Sequence, residues 1–179
     1  MEQTAFDAAL SYLTKRDRTA SEMRGWLRGR DFDKTAIDEA IERLIELGLL
    51  NDSAYGLRYA EYAAGRCRGP LRLSRELKDK GLSDEIIKDS VEQVFGSGQE
   101  LELAEKQARR ILRESAGREW FFRAGERPVD VSEAESGEEE CRITPTDKEL
   151  GRIARRLAAQ GFRQSVIYDV LNRLRRDFI

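Results

Sequence analysis

Six basic side chains crowd one stretch of the chain: Arg66, Arg68, Arg72, Arg75, Lys78 and Lys80, around Gly69-Pro70. Cations at this density recognise anions. Pro70 suits a first helical turn because it has no N–H to leave unpaired. Arg68 and Arg72 bracket that turn, where a phosphate would also meet free backbone N–H groups. Arg72 and Arg75 are three apart and share a helical face. Glu76 and Asp79 lie among them, so two readings stand: an anion-binding surface, or a solvated face neutralised by its own acids. A second set, Arg152, Arg155, Arg156, Arg163, Arg173, Arg175 and Arg176, is opposed only by Asp169 and Asp177 between residues 150 and 179. Its first four members flank a helix turn at Gly161. Neither tract carries a base-stacking array, so neither implies reading of a nucleotide sequence.

Other chemistries are excluded by what is missing. The 179 residues include no histidine, which removes histidine general bases, Ser-His-Asp and Cys-His catalysis, and histidine zinc sites. Cys67 and Cys141, about 74 residues apart, do not make a four-cysteine metal site. The start, MEQTAFDAALSYL, does not read as a signal peptide, so both are expected to be reduced thiols in a cytoplasmic protein. No G-x-x-x-x-G-K-[ST] loop is present, and Gly96-Ser97-Gly98 reads as a flexible joint because no strand precedes it. The pairs Asp38-Glu39 and Asp84-Glu85 fall in first helical turns, where acids complement the helix dipole. No apolar run is long enough to span a membrane. The expectation is a non-enzymatic monomer without cofactor or metal. The net charge of −2 conceals segregation: residues 58–80 hold seven Lys/Arg against three acids, and 132–149 hold two against seven.

The scaffold that positions these charges is an internal repeat. With Leu27, Leu77 and Leu157 in register, Asp31, Gly81 and Gly161 follow four residues later, then Phe32, Leu82 and Phe162. Ile37, Ile87 and Ile167 come next, and Leu44, Val94 and Leu174 close the register. Apolar positions aligned over two helical segments at i, i+3 and i+4 spacing mean a repeated amphipathic unit. The fold class is therefore all-α: tandem three-helix repeats, three units and about nine helices, in an elongated array. The units fall at 1–51, 52–98 and 99–179.

In chain order, the first helix spans 4–16. Thr19 to Glu22 is a capping-box pattern that starts the second. Trp26 is either an edge of the core or an exposed contact. Asp33 caps a third helix, 34–47, whose buried stripe is Ile37, Ile41, Leu44 and Ile45. The middle unit reads as helices 52–65, 70–80 and 84–95, with Gly81 closing the second. Residues 99–115 open the third unit. An insertion at 116–146 then lacks helical period: Trp120-Phe121-Phe122 and Val129/Val131 suggest a small hairpin, and Ser132–Glu140 an acidic disordered loop able to screen the C-terminal basic set. A capping box at Thr146–Glu149 restarts the helix. The last helix, 164–177, has Arg163 where the other units have Asp33 and Ser83, so its start should fray.

The stretch Gly48-Leu49-Leu50-Asn51-Asp52, then Ala54-Tyr55, Gly69, Leu73, Glu76-Leu77-Lys78-Asp79-Lys80-Gly81-Leu82 and Ile86 closely resembles the RecX family of recombination regulators. That resemblance implies an all-helical protein of tandem three-helix repeats. It also implies a non-enzymatic partner of the RecA recombinase, chiefly of its nucleoprotein filament, whose ATPase and strand-exchange activities such proteins typically inhibit in homologous recombination, DNA repair and the SOS response. Some members bind DNA, which the basic tracts would serve here. Leu77, Leu82 and Ile86 carry over as core. Two departures are Asp31, in place of a small turn residue, and the insertion, which is a passive loop or an added contact through Trp120 and Phe122. The other reading is a helix-turn-helix DNA-binding regulator, for which only the last helix, with Asn172, Arg173 and Arg176, has suitable residues.

Overall fold

The computed structural model describes residues 4–96, 98–124 and 145–176, with 116–124 as backbone only. Among the described residues every regular element is a helix. They are α1 Ala5–Leu13, α2 Ala20–Arg28, α3 Lys34–Glu46, α4 Asp52–Gly65, α5 Pro70–Asp79, α6 Asp84–Phe95, α7 Gln99–Ala124, α8 Asp147–Gln160 and α9 Gln164–Arg176. The chain divides into two compact units, Met1–Gly96 and Ser97–Ile179.

Local chemistry sets the helix ends. Thr4, Thr19, Asp33, Asn51, Ser83 and Thr146 each accept a hydrogen bond from a backbone N–H three residues on, satisfying a donor that the first turn leaves open. Gly69 and Pro70 start α5 without a side-chain cap. The aligned turn positions Asp31, Gly81 and Gly161 all adopt left-handed φ, 62°, 77° and 87°, so the repeat register holds at the backbone. Asp is one of the few side chains that tolerate this conformation.

In the first unit, α1 packs on α3 and α2 on α3 around Ala9, Met23, Leu27, Ile41 and Leu44, all fully buried. α4 packs on α6, and α5 on α6, with Leu73, Leu77 and Ala60 inside. The α4–α6 approach is close because Gly56 has no side chain: a Cβ there would lie 2.6 Å from the Ser90 hydroxyl and about 3.1 Å from Ile86. In the second unit, α7, α8 and α9 enclose Ala104, Ala108, Ile111, Ile153, Leu157, Phe162, Val170 and Leu174.

Three expectations need correction. α1 is shorter than 4–16, because Thr14 caps it. Ile45 is not part of the buried stripe: it is half-exposed, while Ala40 takes the inward place beside Ile37 and Ile41. α7 continues to Ala124, so Trp120–Phe122 lie on a helix and not in a hairpin. Once a helix is nucleated, adding residues is easy, and Glu, Ala and Arg in this segment favour continuation over a new turn. The rest of the expected hairpin, the acidic loop and Cys141 lie outside the described residues.

The residue that precedes α9 has a long-range partner. Glu100, at the start of α7, is almost wholly buried. Its Oε1 accepts the Arg163 backbone N–H at 2.8 Å, and its Oε2 pairs with the Arg163 guanidinium at 3.3 Å. The acceptor for this N–H, just ahead of α9, thus comes from 63 residues away, whereas Asp33 and Ser83 accept N–H groups inside their own first turns. Glu100→Ala leaves that N–H and guanidinium without their acceptor, and should lower stability by about 1–3 kcal/mol in urea unfolding followed by circular dichroism. Glu100→Gln keeps an acceptor and should cost clearly less.

Candidate functional site

Within the first unit, the two three-helix segments are joined by polar contacts at the start of α2. The Thr19 hydroxyl, fully buried, accepts the Glu22 N–H at 3.1 Å and donates to the Lys80 carbonyl at 2.7 Å. The expected capping box is thus only half formed. Glu22 turns instead to the Lys80 ammonium at 3.1 Å. Asp52, in the first turn of α4, accepts the Ala20 N–H of α2 at 2.9 Å, while Asn51 caps α4. Arg58 adds an exposed pair with Asp17 at 2.6 Å. Ser21 packs so tightly on Gly81 that a Cβ there would fall 2.2 Å from its hydroxyl oxygen. Burial alone would lower the Lys80 ammonium pKa, but hydrogen bonds with Tyr55 and Glu22 outweigh it and raise it. The Lys80 ammonium therefore keeps its charge at neutral pH.

The middle basic tract is partly neutralised. Arg68 reaches Glu76 at 2.7 Å and Arg72 reaches it at 2.9 Å. The Tyr59 hydroxyl donates to the same carboxylate at 2.9 Å. Burial works to raise the Glu76 pKa, yet the hydrogen bonds from Arg72, Tyr59 and Arg68 together hold it below the usual glutamate range. Burial, followed by the adjacent Glu76, raises the Tyr59 phenol. Lys78 is loosely paired with Asp84 at 3.4 Å, and Lys80 belongs to the junction. Two of the six remain available: Arg66, whose guanidinium lies 5.4 Å from the half-exposed Tyr62 ring, and Arg75, exposed and without an ion pair among the described residues. Arg68 and Arg72 thus converge on an acid and not on the free N–H groups of α5.

The C-terminal set behaves similarly. Arg152 donates to the buried Ser115 hydroxyl at 2.9 Å, Arg156 pairs with Glu114, Arg163 with Glu100, Arg173 with Glu105 and Arg175 with Asp147. Arg155 and Arg176 are exposed and without an ion pair among the described residues. Tyr168 stands two-thirds exposed on α9, where Ser165, Asn172 and Arg176 share its outward side.

Three features escaped sequence reasoning. The junction did, because its partners are 32 to 61 residues apart. So did a layered surface stack: Tyr12 and Trp26 lie face to face at 4.1 Å, with Arg18 4.1 Å over Tyr12 and Arg30 4.3 Å over Trp26. Trp26 is therefore a braced edge of the core. The third is a group of half-exposed aliphatics, Ile45, Leu47 and Leu49, at and just beyond the end of α3. Their alternation with Gly48 and the buried Leu50 was the available signal. Among the described residues no group of three or more acids and cysteines is placed to hold a metal, and no helix is long and apolar enough to cross a membrane.

Comparison with known proteins places these domains. Residues 5–44 match the model of the first three-helix domain of RecX, and residues 51–90 that of the second. The chain is 32% identical over 114 residues to the regulatory protein RecX of Listeria innocua, covering 63% of this chain and 42% of that protein. It is 34% identical over 115 residues to the RecX of Mycobacterium sp. strain JLS, covering 63% and 61%. The match thus spans less than half of the Listeria relative. In fold, the chain is similar to the crystal structure of RecX from Lactobacillus salivarius, with a TM-score of 0.73 at 23% identity over 98% of this chain and 96% of that one.

The Glu76 cluster has a defined pH signature. A carboxylate whose folded pKa is depressed stabilises the fold above its unfolded pKa, and that contribution is lost as pH falls through the folded value. Glu76→Gln should therefore be destabilising at pH 7, and its difference from the parent chain should shrink as pH falls below about 4.5. Urea unfolding across that range measures it; a difference independent of pH would remove the ionised carboxylate from the account.

Proposed function

The chain belongs to the RecX family, and on that footing we propose that it binds the RecA recombinase, chiefly as the nucleoprotein filament, and lowers its ATPase and strand-exchange activity in recombination and DNA repair. The observation that carries this reading is the junction at α2. Two RecX domains held by buried and half-buried hydrogen bonds present one preorganised surface, which loses little freedom on docking. A repeat array of this kind suits a partner that is itself a repeating array. The residues suited to contact are the exposed ones of hot-spot type, Tyr62, Arg66 and Arg75 in the first unit and Arg155, Tyr168 and Arg176 in the second, with the exposed Leu71 beside the first set. The chain acts as a cytoplasmic monomer at low concentration and needs no cofactor.

A second reading, direct DNA contact through α9, is favoured by one observation. Ser165, Tyr168, Asn172 and Arg176 give that helix a polar, aromatic outward side, whereas the outward sides of α3 and α6 carry Glu39 and Glu42, or Asp89 and Glu92.

The test is the single-stranded-DNA-dependent ATPase of the cognate RecA, titrated with the chain. Inhibition well below one chain per recombinase is expected, and Arg66→Glu with Arg75→Glu should raise the half-inhibiting concentration at least about tenfold, the effect of 1.4 kcal/mol. No change in ATPase at equimolar protein, with filaments formed, sinks the regulatory reading. Retention on DNA without RecA, lost in Tyr168→Ala with Arg176→Ala, would favour the second.

A further inference from the structure

Two faces of the first unit are left uncovered, and they are opposite in charge. The first lies at the end of α3. Ile45, Leu47 and Leu49 are 50%, 56% and 51% exposed. Three large aliphatics this open within five residues make a patch, which singly exposed ones do not. Beside them is a recess of about 320 Å³, with Ala20, Ile45 and Leu50 on its aliphatic side and Asn51, Asp52 and Ser53 on its polar side. Along the outward side of α3 run Glu39, Glu42 and Glu46, exposed and without ion pairs among the described residues. Arg43, the nearest cation, is drawn over the Phe6 ring.

The second face lies at the start of α5. Leu71 is 46% exposed and points away from the buried Leu73 and Leu77. Arg75, one turn on, is exposed and unpaired among the described residues, and Arg66 lies over the half-exposed Tyr62 at the end of α4. An acidic face with an aliphatic recess and a basic face with an aliphatic knob thus belong to one compact unit.

We propose that the α5 face of one copy docks on the α3 face of another, with Leu71 entering the recess and Arg66 and Arg75 facing Glu42 and Glu46. A second copy is the occupant the charges select, because each face finds its complement in sign and shape on the same chain. The two faces differ, so the contact is heterologous and repeats head to tail. Few aliphatics are buried and the charges lie at a rim, so association is weak, salt-sensitive and felt when chains are crowded. Copies aligned along a common binding partner would meet that condition, but the contact itself requires no partner.

The experiment uses the full chain alone, so its outcome is separate from that of the regulatory reading. Sedimentation equilibrium should give a mean mass that rises with concentration and falls back when salt is raised from about 0.05 to about 0.5 M, where screening shortens the reach of charges. Leu49→Asp and Leu71→Asp should each be monomeric. Mixed, they should form a one-to-one dimer and go no further, since each keeps one intact face. If either variant loses helical signal, the charge pair replaces it: Glu46→Arg and Arg75→Glu should each weaken association at least about tenfold, and the double variant should restore it. A parent chain that stays monomeric at about 1 mM, where any contact worth about 4 kcal/mol would show, overturns the proposal. So does association that survives both Asp variants, or two monomeric variants that fail to pair when mixed.

Discussion

The first unit depends on how the N-terminus of one helix is satisfied. A helix start leaves backbone N–H groups without partners, and burying one unpaired costs about 1–3 kcal/mol. At α2 these donors are met by Thr19 from its own chain end and by Asp52 from the next domain. Thr19 is then held in turn by the last carbonyl of α5. Neither domain can complete this region alone. The polar residues do what an apolar interface cannot: their directionality fixes one relative placement, and the close fit of Ser21 on Gly81 rules out sliding.

The same economy of charge explains why the basic tracts are less basic than they read. Most of the arginines are tied to acids in their own unit: Glu76 holds Arg68 and Arg72, and in unit 2 Glu114 holds Arg156 as well as Arg110, while Glu100, Glu105 and Asp147 pair with Arg163, Arg173 and Arg175. Half-buried pairs such as Arg68–Glu76 order side chains more than they contribute field outside. Surface potential is then left to a few uncommitted cations, Arg66, Arg75, Arg155 and Arg176. Tyr62 and Leu71 stand exposed on the first unit and Tyr168 on the second.

The fold was legible because it is written locally. Caps at Thr4, Asp33, Asn51, Ser83 and Thr146, the left-handed turns at Gly81 and Gly161, and the apolar register through Leu27, Leu77 and Leu157 are all within a few residues of what they organise. The misreadings share a cause. Ile45 has the right spacing for the core, but periodicity cannot distinguish the last inward residue of a helix from the first that overhangs its end. Glu22 stands where a capping box would use it, a pattern with a local meaning, but it turns to Lys80 across the fold instead. The candidate surface was legible as a set of arginines and not as a selection among them, because selection depends on which acid folds nearest.

Glu100 has a bearing on the order of folding. Helices capped by their own flanking residues can start wherever the chain first turns, but α9 acquires its acceptor only when α7 has come to lie against it. Its first turn is therefore coupled to a loop closure spanning the whole connection from α7 to α8. The cost of such a closure grows only with the logarithm of length, by about 0.6 kcal/mol per doubling. The second unit can thus hold a long connection at modest thermodynamic expense, and a change at Glu100 is felt at the start of α9, far away in sequence.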